Sequence, residues 1–160
     1  MKFRDWINAA MLAVVFGIVF GQITKNTPNI PDVAPQFSLT GTDGESLDLL
    51  ALRGQTVVIN FWASWCGPCR QEIPDFSRFY NDHPDIAVIG LAVESGDIND
   101  VRRSAKQLGI DYPVGVAAPS TVSDYDISVF PTTVVVDPMG NVTNIAVGVM
   151  DYTELQHATR

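Results

Sequence analysis

The stretch TVVINFWASWCGPC, residues 56–69, determines how the rest of the chain is organised. Its first seven residues, 56–62, are β-branched or apolar at all but one position, which is typical of a central strand buried on both faces. The remainder contains Cys66 and Cys69, and we predict a helix over residues 67–81 that begins between them. The two cysteines are therefore expected at a junction between a strand and a helix.

Short strands and helices alternate outward from this junction. We predict strands over residues 36–39, 46–49, 56–62, 86–92, 132–136 and 142–147, and further helices over residues 100–108 and from Asp151. The strand–helix–strand order implies that strands 56–62 and 86–92 run parallel, joined by a right-handed crossover. The sequence thus predicts an α/β fold, with a central mixed sheet flanked by helices and preceded by a β-hairpin. Functional groups of such sheets gather beyond the carboxyl ends of the parallel strands, where Cys66, Cys69 and Glu94 lie.

Cys66 and Cys69 are the only cysteines of the chain. The loop between them is too short for a disulfide to stabilise the fold much through chain entropy. Cys66 precedes the helix, whose unpaired N–H groups and partial positive charge favour a thiolate, so we expect it to be the nucleophile of disulfide exchange. Cys69 lies one helical turn further along the same face and can resolve a mixed disulfide formed at Cys66. Pro68 suits the first turn of the helix, because its missing N–H needs no partner there.

Spacing and composition argue against several other functions. A structural zinc site would need a second pair of ligands, and His83 and His157 are isolated in the sequence, so no metal site is expected. Inert thiols remain a second alternative. The net charge is −8, and residues 27–160 hold 17 acids against 7 bases. Nucleic-acid binding is excluded, because such a domain lacks the basic stripe that phosphate contacts require.

Residues 6–23 form an uncharged stretch preceded by Lys2 and Arg4. As a helix this stretch would span roughly 27 Å, close to the thickness of a bilayer core. Bases favour the inner side of a membrane, which predicts a cytoplasmic N-terminus and a single-pass protein of the inner membrane with its domain on the periplasmic side. A cleaved signal peptide is the alternative, although no A-x-A-like site is evident. The predicted parts are a signal anchor over residues 1–25, a proline-rich linker over residues 26–35 and one folded domain over residues 36–160.

Several segments carry a resemblance to a known family. Residues 61–69, FWASWCGPC, closely resemble the active-site segment of thioredoxins, and residues 130–133, FPTT, resemble the loop that holds a cis-proline beside the cysteines. With residues 34–39, APQFSL, and residues 44–52, the anchored chain resembles the TlpA/ResA/CcmG branch of the thioredoxin superfamily. The resemblance covers residues 34–155 and implies a thioredoxin-like fold and a thiol–disulfide oxidoreductase with no cofactor beyond its own dithiol.

The resemblance also implies a direction of electron flow and two partners. Proteins of this branch are extracytoplasmic reductases, several of which serve cytochrome c maturation or copper-site assembly. An oxidised client protein and a membrane electron donor are therefore expected. The alternatives are a disulfide oxidant or isomerase, and a copper chaperone that uses the thiols as soft ligands. A peroxidase is disfavoured by the WCGPC setting of the nucleophile.

A client-binding surface around the cysteines follows from the same resemblance. Trp65, Gly67 and Pro68 adjoin the two cysteines, and Phe130 and a cis Pro131 form the loop beside them. Proline offers no N–H, which leaves the backbone of Phe130 free to pair with an extended client peptide. The bulk of Phe130 would influence which partner fits, although a purely core role for this side chain stays open.

Asn60 marks a departure from thioredoxins, which carry a buried aspartate at the matching position. An amide cannot exchange a proton at neutral pH, so proton transfer to Cys69 would need another group. We expect Glu94 to be that group, because it follows the second parallel strand and residues 92–95 resemble a stretch of ResA-like proteins that carries a functional glutamate. Partial burial would raise the pKa of Glu94 toward neutrality. The alternative is a solvated loop carboxylate.

Overall fold

A computed structural model describes residues 27–160, so the predicted signal anchor at residues 1–25 lies outside the described residues. The elements in chain order are β1 (Ser38–Thr40), β2 (Ser46–Asp48), β3 (Val57–Trp62), α1 (Gly67–Asp82), β4 (Ala87–Ala92), α2 (Ile98–Leu108), β5 (Val114–Val116), α3 (Pro119–Asp124), β6 (Thr132–Val136), β7 (Val142–Val147) and α4 (Tyr152–Ala158). Within residues 27–160, every helix is too short or too polar to cross a bilayer.

Five strands form the main sheet, in the order β5-β4-β3-β6-β7. β3 is central and pairs parallel with β4 and antiparallel with β6. β7 continues the sheet as an antiparallel partner of β6, and β1 and β2 pair separately with each other. The predicted mixed α/β sheet is confirmed, including the parallel pairing of the two strands that flank the first long helix.

β3 is buried along its whole length because both faces of the sheet are covered. Val58 and Trp62 belong to the core on one face, which also contains the two cysteines. Ile59 and Phe61 belong to the core on the opposite face. Burying each such large apolar side chain contributes about 1.5–3 kcal/mol. A fully buried strand therefore leads directly into the cysteine pair.

One strand and one α-helix were not predicted from the sequence. β5 has three residues and α3 has six, and both lie between α2 and β6. A third difference concerns α2, which begins at Ile98 rather than at residue 100. Asp97 caps this helix, because its Oδ1 accepts the backbone N–H groups of Asn99 and Asp100. The cap moves the helix start two residues earlier than the apolar pattern alone indicates.

Part of the predicted linker lies against the domain. The N–H of Val142 donates to the carbonyl of Asp32, and the N–H of Ala34 donates to the carbonyl of Gly140. The Tyr125 hydroxyl donates to the carbonyl of Pro35 at 2.8 Å. Residues 32–35 therefore contact the β6–β7 turn and the segment after α3.

Candidate active site

Cys66 and Cys69 lie just beyond the carboxyl end of β3 and form a disulfide with a Cα–Cα distance of 5.3 Å. Cys66 is the N-cap of α1, and its Sγ accepts the backbone N–H of Cys69 at 3.2 Å. The predicted junction between strand and helix is confirmed. Since the first N–H groups of a helix carry partial positive charge, this position favours the thiolate form of Cys66 once the disulfide is reduced.

The two sulfur-bearing residues differ in accessibility. Cys66 keeps 5% of its surface exposed, whereas Cys69 has none. Gly67 and Pro68 are both exposed, so the loop between the cysteines forms part of the protein surface. An incoming sulfur can approach Cys66 alone, and Cys69 can react only from inside the protein.

Several hydrogen bonds fix the loop that carries the cysteines. The backbone N–H of Ser64 donates to the Ser95 hydroxyl at 2.9 Å. The Arg70 guanidinium donates twice to the carbonyl of Ser64, at 2.6 and 3.2 Å. The indole N–H of Trp65 donates to the carbonyl of Glu94 at 3.0 Å. The loop after β4 therefore holds the loop after β3 in place.

An exposed apolar surface lies next to Cys66. Trp65 is 58% exposed, and its ring meets the half-buried ring of Phe130 edge to face, with centroids 5.9 Å apart. The Phe130–Pro131 peptide bond is cis, as expected. The carbonyl of Pro131 accepts the N–H of Gly148, which lies between the exposed residues Val147 and Val149. Phe130 also packs against the core that contains the cysteines, so it contributes to both the surface and the core.

The expected partial burial of Glu94 is wrong, because its side chain is exposed. The chain turns sharply after β4, where Glu94 adopts a left-handed conformation with a φ of 47°. Val93 is buried at this turn and Glu94 faces solvent. The contact that Glu94 makes with the site is through its carbonyl, which accepts the Trp65 indole. A role for its carboxyl in proton transfer stays a prediction.

Glu72 is the buried carboxyl of the site, and the sequence analysis missed it. It lies on α1 one turn after Cys69 and has no exposed surface. Its Oε1 accepts the side-chain N–H of Asn60 at 2.7 Å, and its Oε2 accepts the backbone N–H of Met150 at 3.0 Å. Burial raises the pKa of Glu72 to about 7, although the hydrogen bonds from Met150 and Asn60 partly oppose that rise.

A signal for Glu72 was present in the sequence. Its position three residues after Cys69 puts it on the same face of the helix as the resolving cysteine. That face continues with Ile73 and Phe76, which are buried. A carboxylate within an apolar helix face is rare unless it has partners, and Asn60 on the adjacent strand is a polar residue in an otherwise apolar run. Asn60 and Glu72, the two polar residues in these apolar patterns, are hydrogen-bonded to each other.

Neither histidine belongs to the buried core cluster that contains the cysteine pair. His83 caps the C-terminus of α1 and stacks on Phe79, with centroids 4.4 Å apart, and His157 is exposed on α4. Among the residues described, no cluster of three or more His, Cys, Asp or Glu side chains is arranged to hold a metal ion.

The chain is similar in sequence and in fold to known proteins. Residues 30–145 match the model of the AhpC/TSA family. The thioredoxin-like protein YneN of Bacillus subtilis is 33% identical, over 96% of this chain and 95% of its own. The thiol–disulfide oxidoreductase ResA of the same species is 35% identical, over 73% of this chain and 66% of its own. A thiol:disulfide interchange protein of Chlorobium tepidum superposes with a TM-score of 0.73 and 31% identity, over 81% of this chain and 94% of that one.

Proposed function

Because the chain belongs to the AhpC/TSA family and is a thiol–disulfide oxidoreductase of the ResA type, we propose that it reduces disulfides of specific extracytoplasmic client proteins. The observation that carries this proposal is the asymmetry of the cysteine pair. Cys66 reaches the surface at a helix N-terminus, and Cys69 is enclosed one turn from a buried carboxyl. A disulfide reductase needs this division, with an outer attacking thiolate and an inner resolving thiol.

The exchange proceeds in two steps that balance sulfur and electrons. The Cys66 thiolate attacks one sulfur of the client disulfide, which forms a mixed disulfide and releases the other client sulfur as a thiolate. Cys69, once deprotonated, attacks the sulfur of Cys66 and releases the second client thiolate. Two electrons pass to the client, and the Cys66–Cys69 disulfide seen in the structure is the product.

Glu72 fits the proton transfer that the second step requires. Cys69 must lose its proton inside the protein, because it has no exposed surface. A carboxyl with a pKa of about 7 can accept that proton near neutral pH and return it when the disulfide is next reduced. Glu72 is therefore proposed to be the internal base that activates Cys69.

The exposed apolar surface is the proposed client-binding region. Trp65 precedes the outer cysteine and contacts Phe130, and the exposed Val147 and Val149 flank Gly148, which donates to the carbonyl of Pro131. Aromatic residues commonly dominate the binding energy of such contacts. Reduction in an oxidising compartment also needs electrons from elsewhere. The uncharged stretch at residues 6–23 supports a membrane-anchored protein of the inner membrane, facing the periplasm, that receives electrons from a thiol-reducing membrane donor.

Trapping of the mixed disulfide tests the client proposal. A Cys69→Ala variant keeps the attacking thiolate but cannot complete the second step, so it should accumulate a mixed disulfide with its client in the membrane fraction. The matched control carries both Cys66→Ala and Cys69→Ala and should trap nothing. The proposal fails if the single variant traps no more protein than the double variant.

The redox potential of the pair tests the direction of electron flow. Thioredoxin, a reductant, has a potential near −270 mV, whereas the strong oxidant DsbA has one near −120 mV. We expect the potential of the Cys66–Cys69 pair to lie closer to that of thioredoxin than to that of DsbA. A value close to that of DsbA would instead identify an oxidant. Tight Cu(I) binding without disulfide reductase activity would identify a copper chaperone.

A further inference from the structure

Asn60 has an unusual set of partners for a fully buried amide. Its Nδ2 donates to Oε1 of Glu72 at 2.7 Å and lies 3.4 Å from the hydroxyl oxygen of Thr133, which is its register partner on β6. Its Oδ1 is buried, and no residue in the described part of the chain donates to it. The amide therefore presents its donor end to the carboxyl and leaves its acceptor end unpaired. This arrangement matches an ionised Glu72, which can only accept hydrogen bonds.

A protonated Glu72 needs a different partner. A neutral carboxyl carries one O–H donor, which must find an acceptor when it is buried. The backbone N–H of Met150 at Oε2 cannot accept, and neither can the Nδ2 of Asn60 at Oε1. The Oδ1 of Asn60 can accept, and it is carried on the same planar amide.

Rotation of the Asn60 amide by half a turn exchanges its two ends. Oδ1 then takes the place of Nδ2 and accepts a hydrogen bond from the O–H of the neutral Glu72 carboxyl. The Thr133 hydroxyl, which can accept or donate, then donates to the same Oδ1. Both contacts reverse together, so each protonation state of the carboxyl has a matched partner.

We propose that Asn60 is a positioning residue that turns its amide over when Glu72 gains or loses its proton. Asn60 contacts the proton-carrying group and acts on the reacting sulfur only through Glu72. This inference rests on the proposed role of Glu72 in activating Cys69. It gives a reason for an amide at this position: an aspartate beside Glu72 would add a second buried carboxyl, and an apolar residue would satisfy neither state.

The other groups around Glu72 limit what can titrate there. Tyr112, which precedes β5, is buried in the core that contains the cysteines. Burial and the charge of Glu72 both raise the pKa of Tyr112 above the usual range. Asp151, next to Met150, is exposed and caps α4. In the oxidised protein Cys66 and Cys69 do not titrate. Glu72 is therefore the group of this cluster expected to change charge near neutral pH.

Nuclear magnetic resonance on the oxidised full-length chain in detergent micelles tests the proposal. The titration of Glu72 is monitored through the chemical shift of its side-chain carboxyl carbon. A Glu72→Gln variant assigns that signal. At pH 9 the side-chain N–H protons of Asn60 should show a nuclear Overhauser contact with the Thr133 side chain. At pH 5 this contact should be lost, with a midpoint that matches the Glu72 titration. Retention of the contact while Glu72 titrates would overturn the proposal. The measurement needs no reductase activity. A negative result would therefore refute the amide rotation without refuting the proposed reductase function.

An Asn60→Ala variant gives a second readout. It removes a hydrogen bond to the charged carboxylate, which is stronger than one to the neutral acid, so the pKa of Glu72 should rise by about one pH unit. Ser77→Ala is the matched control, because Ser77 is also a buried polar residue that hydrogen-bonds from α1. It should leave the Glu72 midpoint unchanged. An unchanged midpoint in Asn60→Ala, or an equal rise in Ser77→Ala, would contradict the assignment.

Discussion

The disulfide lies between two regions that differ in the exposure and in the hydrogen bonding of their polar groups. On the outer side, Trp65 and Glu94 are exposed, and the polar contact between them runs through a backbone carbonyl. On the inner side, Asn60 and Glu72 have no exposed surface, and their side chains bond directly to each other. The outer region is open to partners from solvent, whereas the inner region is closed to them by the packing around it.

This difference places the two glutamates near the disulfide in different electrostatic environments. Water screens a charge on the outer side, so Glu94 can affect a client only weakly. On the inner side, burial penalises the charged form of Glu72 and brings its pKa close to neutrality. The proposed proton transfer therefore lies beside Cys69, and the proposed client contact lies beside Cys66.

The largest expected effect is loss of the attacking thiolate. A Cys66→Ser variant should lower reduction of a protein disulfide by at least about a thousandfold, because a hydroxyl does not ionise near neutral pH. An insulin-reduction assay supplied with dithiothreitol measures this. Cys69→Ser should lose steady-state turnover but still form a mixed disulfide. Equal trapping by both variants would break the distinction between the outer and inner cysteines.

A Glu72→Gln variant tests the inner region next. It keeps the shape and acceptor of the side chain but cannot take up a proton, so resolution of the mixed disulfide near pH 7 should slow roughly 10- to 100-fold. Stopped-flow measurement of a preformed mixed disulfide gives the rate. The slope of rate against pH around 7 should flatten. Glu94→Gln is the outer counterpart and should change the rate by less than about twofold. A larger effect from Glu94→Gln would indicate that Glu94, and not Glu72, takes part in the proton transfer.

Stability against pH distinguishes the same two carboxylates without any activity assay. Because the folded pKa of Glu72 is raised to about 7 from 4.5, its stabilising contribution is full below pH 4.5 and is lost as pH rises through 7. This loss should reach about 3 kcal/mol at most. Urea unfolding of the oxidised protein at pH 5 and pH 8 should show the decrease in wild type. The decrease should be absent in Glu72→Gln and retained in Glu94→Gln. A wild-type decrease that survives in Glu72→Gln would disprove the assignment.

The smallest expected effect concerns the exposed indole. Trp65→Ala should raise the KM for a protein client about tenfold, because aromatic contacts of this kind contribute on the order of 1–2 kcal/mol. The KM for a small-molecule disulfide substrate should change little. Met139→Ala is a suitable control, because Met139 is 79% exposed but lies in the β6–β7 turn, at the far end of β6 from Pro131. Equal effects from both variants would show that general surface hydrophobicity, rather than this surface, binds clients.

Much of the fold was predictable because the pattern in β3 and β4 is strong. Apolar runs of this length are buried on both faces, and the junction at Cys66 follows from them. β5 was not predictable, since it is three residues long and contains Gly115. Its place depends on tertiary pairing with β4 and on close approach of Leu39, whose Cδ1 would lie 2.1 Å from a side chain at Gly115. A pattern of local sequence does not record either contact.

The site was predictable where the chemistry is local and less so where it depends on burial. The disulfide, the cis bond before Pro131 and the exposed Trp65 agree with expectation. The expected burial of Glu94 is wrong, because a position after a parallel strand indicates proximity to the site but not the direction of a side chain. Glu94 faces solvent, whereas Glu72 faces inward on α1.

The hydrogen bond from Met150 to Glu72 joins residues 78 positions apart in the chain. A ribosome adds residues from the N-terminus, so both cysteines emerge long before Met150 does. A nascent chain that has reached α1 therefore carries its thiols without the backbone donor that helps hold the acid. The site gains its full set of partners only after Met150, in the segment before α4, has been synthesised.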